Sequence, residues 1–144
     1  MKEHFKKVFL DTSPIIYILD NDVNFGQKTS KILSMLSKSN VQFVSSVITC
    51  AEYFVYPYRM NNIPLIETFW EMVKDNDMIL YTISHFSAMK AAQIRAKYKH
   101  FKPMDSLQLA VACLQGCDLF LTNDKQLTQF DEIKCLTIEG WQIE

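Results

Sequence analysis

The stretch that decides the fold is KVFLDTSPIIYILD, Lys7 to Asp20. An apolar run, Val8-Phe9-Leu10, stops at Asp11-Thr12-Ser13, and a second apolar run, Ile15 to Leu19, follows at once. A short continuous apolar run bounded by turn residues suits a strand buried on both faces. Ser13 followed by Pro14 suits a helix start, because a proline at the first helical position gives up no needed hydrogen bond. Asp11 therefore sits between two segments made for burial. A carboxylate there is costly to desolvate unless it caps a turn or holds a cation.

The same alternation recurs outward from this stretch. Lys7 to Leu10, Val41 to Val44 in VQFVSS, MILYTI (78–83), LFLT (119–122) and CLTI (135–138) read as strands. Between them, Gln27 to Lys38 reads as a helix with Ile32, Leu33 and Leu36 on one face. VITCAEYFVYPYR (47–59) reads as a helix behind Ser45-Ser46 that breaks near Pro57. PLIETFWEMVKD starts at Pro64, and HFSAMKAAQIRAKYK (85–99) is rich in strong helix formers. PMDSLQLAVACLQGCD is opened by Pro103, ended by Gly116 and apolar on nearly every side, so it is expected to be sandwiched. A short helix follows from Asp124. Helices alternating with continuous apolar strands specify an α/β fold whose parallel sheet is covered on both faces. Ligands of such sheets bind beyond the carboxyl ends of the strands, where Asp11 and Asp124 both fall.

The chain has 144 residues, with 3 Gly, 4 Pro and no Ser/Gly linker, so one domain over residues 1–144 is expected. No apolar run reaches the roughly 18 residues needed to cross a membrane. The apolar part of MKEHFKKVFLDTS is too short for a signal peptide. Four cysteines in apolar stretches, without a secreted spacing pattern, point to a reduced, cytoplasmic setting. Cys113 and Cys117 lack the second ligand pair that a zinc site requires and read as core. His4, His85 and His100 show no spacing for nucleophilic catalysis.

Four acids stand within or beside apolar segments, and each has an ordinary reading. Asp11 could start a turn, and Glu52, three residues after Thr49, fits a capping box. Asp105 lies in a first helical turn, and Asp124 in LTND could cap the next helix. Their conjunction along one sheet edge is the informative feature. Clustered carboxylates repel unless a cation joins them, and hard oxygen ligands suit Mg²⁺ or Mn²⁺.

FLDTSPIIYILD, SSVITCAEYFVYPYR and PMDSLQLAVACLQGCDLFLTND, in that order, resemble the PIN-domain nucleases, and in size the single-domain VapC-type toxins among them. The resemblance covers roughly residues 7 to 138 and implies a three-layer α/β/α sandwich with a central, mostly parallel sheet. It implies Mg²⁺- or Mn²⁺-dependent cleavage of RNA to a 5′-phosphate and a 3′-hydroxyl. By motif, Asp11, Glu52, Asp105 and Asp124 form its acidic quartet, with Ser13 and Thr122 as hydroxyls supporting the carboxylates. It further implies a homodimer and a cognate antitoxin. Some relatives carry another acid just after TND, where this chain has Lys125-Gln126-Leu127.

A net charge of −1 argues against a broad basic face, but setting the quartet aside gives −1 + 4 = +3. Arg95, Lys97, Lys99 and Lys102 lie just before Asp105 and suit RNA phosphates, or a solvated helix end. Aromatic-rich YFVYPYRM (53–60) suits core or partner contact better than base stacking. A haloacid-dehalogenase-type phosphatase needs an acid where Ser13 stands, and a receiver domain needs paired acids at the first strand. The alternative left open is a non-catalytic RNA- or protein-binding module of the same fold with a structural metal.

Overall fold

The computed structural model describes residues 4–142; residues 1–3, at the head of the basic N-terminal stretch, and 143–144 lie outside it. Five strands form one sheet in the order β3-β2-β1-β4-β5, every pair parallel. They are β1 (Lys7–Leu10), β2 (Gln42–Ser46), β3 (Ile79–Tyr81), β4 (Leu119–Thr122) and β5 (Lys134–Thr137). The helices are α1 (Thr12–Leu19), α2 (Gly26–Lys38), α3 (Val47–Tyr53), α4 (Val55–Arg59), α5 (Ile63–Asp75), α6 (His85–Lys97) and α7 (Pro103–Leu114), with a 3₁₀ turn at Lys125–Gln129. Because all strands run the same way, every strand ends on one edge of the sheet.

Strand alternation divides the core into two layers. Val8 and Leu10 of β1, with Leu119 and Leu121 of β4, face Ile15, Ile32, Leu36 and Phe69 of α1, α2 and α5. Phe9 and Phe120 face the other way, onto Ala91 and Ile94 of α6 and Leu109 of α7. Phe9 and Phe120 are neighbours in register and stack at 5.1 Å with planes 8° apart. The result is the three-layer α/β/α sandwich, with the central strands dry on both faces. Cys117 and Cys135 are buried in the α6–α7 layer.

Three details differ from the sequence reading. The break expected near Pro57 falls at Phe54, and Pro57 lies inside α4. It is the third residue of that helix, where an N–H has no intrahelical partner, so the proline fixes the start of a new helix instead of ending an old one. α3 is capped by Ser46, whose hydroxyl accepts from Ile48 N–H at 3.1 Å, so Thr49–Glu52 is not its capping box. α1 starts at Thr12 with Asp11 as its cap, slightly ahead of Ser13-Pro14.

With 3 glycines in the chain, several tight turns use other residues. Asn21, Asn40, Asn61 and Asp77 all take positive φ, close behind α1, α2, α4 and α5. Short amide and carboxylate side chains tolerate this left-handed conformation through local hydrogen bonds.

Candidate active site

Four segments meet at the carboxyl edge of the sheet. Asp11 leaves β1 with its backbone N–H on Leu121 O at 2.9 Å, tying it to the end of β4. Its side chain is 5% exposed and engaged at both oxygens. Oδ1 accepts from Thr12 N–H at 2.9 Å, and Oδ2 accepts from the Thr122 hydroxyl at 2.8 Å. The Asp11 carboxyl is raised to about 6, chiefly by burial, with Asp105 and Glu52 adding to it and the Thr122 and Thr12 hydrogen bonds opposing it.

Thr122, the fully buried last residue of β4, serves two acids. Its hydroxyl donates to Asp11 and accepts the Asp124 N–H at 3.1 Å. Asp124 is half-buried, and its Oδ1 accepts from Gln126 N–H at 3.0 Å, capping the 3₁₀ turn. The helix-cap reading therefore describes Asp124 correctly, whereas Asp11, read as starting a turn, is itself the cap of α1; capping removes neither from the edge.

Asp105 projects from the first turn of α7 and is half-buried. Burial raises its carboxyl above the ordinary range; Asp124 and then Glu52 raise it further, and Lys102 opposes them. Glu52, on α3, is exposed as a residue, yet its Oε1 accepts the Thr12 hydroxyl at 2.6 Å. Asp11, Glu52, Asp105 and Asp124 thus share one electrostatic neighbourhood. Among the described residues, no three His, Cys, Asp or Glu side chains close around a common point as a finished metal cage. The oxygens of Asp11 and Glu52 point instead to Thr12 and Thr122. A carboxylate offers about four lone-pair positions, so these bonds leave acceptor capacity on each. The donor set is all oxygen, which fits Mg²⁺ or Mn²⁺ and does not fit a soft metal.

The other residues expected here divide. Ser13 is half-buried in α1, and among the described residues its hydroxyl makes no hydrogen bond to these carboxylates. Thr12 takes that position. Lys102, exposed at the cap of α7, is the cation that acts on Asp105. Lys97 is turned away into an ion pair with Asp131 at 3.1 Å. Arg95 and Lys99 are exposed. Lys97, Tyr98, Lys99, His100, Phe101 and Gln129 line a depression of about 230 Å³ in the segment that leads into α7.

Behind the acids lies a buried polar layer that sequence reasoning missed: Thr12, Ser45, Ser46, Thr49 and Gln108, all under one-tenth exposed. The available signal was Gln108, a polar residue in the middle of an otherwise apolar helix.

Fold and site together define a parallel α/β protein with carboxylates gathered at the carboxyl edge of its sheet. The sequence pattern of the PIN domain matches residues 8–133, and the chain belongs to that family. No curated protein matches it in sequence. Among solved structures it is similar to VapBC2 from Rickettsia felis bound to a DNA fragment from its promoter, at 14% identity and TM-score 0.73, over 94% of this chain and 99% of that one. It is similar to a toxin–antitoxin complex from Klebsiella pneumoniae, at 20% identity and TM-score 0.70, over 94% and 99%. It is also similar to FitAcB from Neisseria gonorrhoeae, at 18% identity and TM-score 0.69, over 93% and 99%. At these identities the likeness is one of fold.

Proposed function

We propose that this chain, acting as a single PIN unit over residues 1–144, is a divalent-metal-dependent endoribonuclease and the toxin of a type II toxin–antitoxin pair. The observation that carries the reading is Asp11, buried and hydrogen-bonded by Thr122, its carboxyl raised chiefly by burial with smaller contributions from Asp105 and Glu52. Burying a carboxylate beside other acids costs stability, and a site for cations gives that arrangement a use. Family membership and the toxin–antitoxin complexes among the fold neighbours support it.

In this reading Asp11, Asp105, Asp124 and Glu52 would hold Mg²⁺ or Mn²⁺, which would supply a water of lowered pKa and offset charge on the phosphodiester. Thr122 holds Asp11 against β4, with Ser13 beside it in α1. Asp105, in the first turn of α7, lies within electrostatic reach of Asp124, Glu52 and Asp11. Lys102 and Lys99 approach the RNA phosphates from the α6–α7 loop, with Arg95 and Lys97 further back on α6. Water adds to phosphorus and the 3′-oxygen leaves, giving a 5′-phosphate and a 3′-hydroxyl.

A partner-covered face is also part of the reading. Val55, Tyr56 and Tyr58 of α4, Met60 just after it, and Ile63 and Trp70 of α5 are exposed apolar side chains. Exposed apolar area of this kind marks interaction surfaces, and a second copy of the chain or an antitoxin would cover it. Four free thiols agree with a cytoplasmic protein.

Purified protein incubated with mixed RNA and Mn²⁺ tests the proposal. Cleavage that EDTA abolishes, and that Asp11→Asn and Asp105→Asn both lack, is the expected result. Equal cleavage by both variants and the wild type sinks the assignment. Metal binding without cleavage selects the non-catalytic binding module.

A further inference from the structure

Gln108 lies at the centre of α7 with 1% of its surface exposed, among Leu109, Ala110, Val111 and Ala112. A primary amide in such a place is unfavourable unless both ends are satisfied. Here both are. Its Oε1 accepts the hydroxyl of Ser46, and its Nε2 donates to Thr49 Oγ1 at 3.0 Å and reaches Thr12 Oγ1 at 3.5 Å.

The protons in this layer can be assigned one by one. Ser45 donates its hydroxyl proton to Leu10 O at 2.7 Å, so in its 2.9 Å contact with Thr49 it accepts. Thr49 therefore donates to Ser45. Thr12 donates to Glu52 at 2.6 Å. Both threonine protons are then committed, and the 3.3 Å approach of Thr12 to Thr49 has none left to share. Each threonine oxygen faces the Gln108 amide as an acceptor. Ser46 accepts from Ile48 N–H and donates to Gln108. Turning the amide over would set its oxygen against two hydroxyls without a free proton, so the layer fixes which way it points.

We infer that Gln108 is a positioning residue: its amide N–H groups occupy the acceptor sides of Thr12 and Thr49, so that Thr12 presents its own proton to Glu52 and holds that carboxylate beside Asp11. The inference rests on the reading of Glu52 as a member of the metal-binding quartet. Gln108 touches neither Glu52 nor substrate; it acts through Thr12. The chain of contacts links α7, which carries Asp105, to α3, which carries Glu52, through the first residue of α1.

The test is a double-mutant cycle on single-turnover RNA cleavage with Mn²⁺, using Gln108→Leu, Thr12→Val and both together, each checked for folding by circular dichroism. Each single variant is expected to lower kcat on the order of tenfold, with KM for RNA little changed. The double variant should be no slower than the slower single one, because the two act in series. Multiplicative losses, or a rise in KM at unchanged kcat, would overturn the inference. Gln108→Glu, which turns a donor into an acceptor with almost no change in shape, should be at least as slow as Gln108→Leu; wild-type rates in a folded Gln108→Glu protein also overturn it.

A second readout needs neither metal nor activity. In ¹⁵N–¹H spectra of the metal-free protein, the Gln108 side-chain amide should exchange with solvent far more slowly than that of exposed Gln93. Thr12→Val and Glu52→Gln should each shift it. Fast exchange, or no shift with Glu52→Gln, counts against the wiring even where the cycle cannot be run because a variant does not fold. Should the wild type cut no RNA, the nuclease reading fails, and the spectra alone decide whether Gln108 orients Thr12 toward Glu52.

Discussion

Metal-free protein should lose stability as the pH rises from about 4 to 7, and Asp11 should account for much of that loss. Its carboxyl is raised from 3.8 to about 6, chiefly by burial, with Asp105 and Glu52 adding to it against the hydrogen bonds from Thr122 and Thr12. Between those two values the folded chain keeps a proton that the unfolded chain has released, so stability falls with rising pH. Below about pH 4 both states are protonated and Asp11 costs nothing on this account; above about pH 6 the cost is complete. A gap of about two on the pH scale, at about 1.36 kcal/mol each, makes it about 3 kcal/mol. Asp11→Asn removes the titration while nearly keeping the shape. Urea unfolding in EDTA at a series of pH values gives ΔG for both proteins. The variant's stability relative to wild type should grow by about 2.4 kcal/mol between pH 4 and 7, and taking a difference of differences cancels any pH-independent effect of the new amide. Adding Mn²⁺ at pH 7 should stabilise the wild type by about 2.7 kcal/mol at a hundred times its Kd, and the variant by much less. A relative stability flat to within about 1 kcal/mol across that range would refute the reasoning, because it would mean that Asp11 ionises as an ordinary solvated carboxylate.

Three further outcomes follow from single residues. Ser106, fully buried beside Asp105, has a hydroxyl without a hydrogen-bond partner among the described residues, so Ser106→Ala should raise stability by about 1 kcal/mol, and a lower melting temperature would contradict this. Phe9→Ala removes one ring of the stacked pair at the centre of the sheet and should cost about 3–5 kcal/mol in urea unfolding, where a cost near 1 would mean that the two layers close over the gap. Lys102→Ala should weaken RNA binding and reduce the salt slope by about 1, whereas Lys97→Ala, already paired with Asp131, should change both less; equal effects would remove the distinction drawn between the two lysines.

The fold was legible because its signals agree. Val8-Phe9-Leu10 and LFLT are apolar without alternation, as strands covered on both faces must be, and Pro103 and Gly116 bracket α7. What went astray was boundary detail decided by tertiary geometry. Pro57 reads in the sequence as the end of a helix but sits in the first turn of the next, behind Phe54, whose ring packs on Phe69 at 4.9 Å. MILYTI supplies only Ile79–Tyr81 to the sheet, because β3 is an edge strand that pairs with β2 alone.

The site divides along a different line. A carboxylate in an apolar setting is costly, so Asp11, Asp105 and Asp124 stand out in the sequence by the expense of burying them. Serine and threonine carry no such mark, since a single hydroxyl is satisfied by many backbone neighbours. Thr12 carries no such mark in the sequence, and Ser13 stands out only by its place in a motif. The difference is one of direction. On a helix that begins at Thr12, that residue's side chain turns inward to Thr49 and Gln108, and Ser13 falls about 100° around the axis. One residue's shift in the helix start therefore decides which hydroxyl reaches Glu52. That start is fixed in turn by the bond from Asp11 N–H to Leu121 O, a contact between residues 110 apart (121 − 11) that no local pattern reveals. The acids carry the proposed chemistry, and the long-range pairing of β1 with β4 chooses the hydroxyls that bond to Asp11 and Glu52.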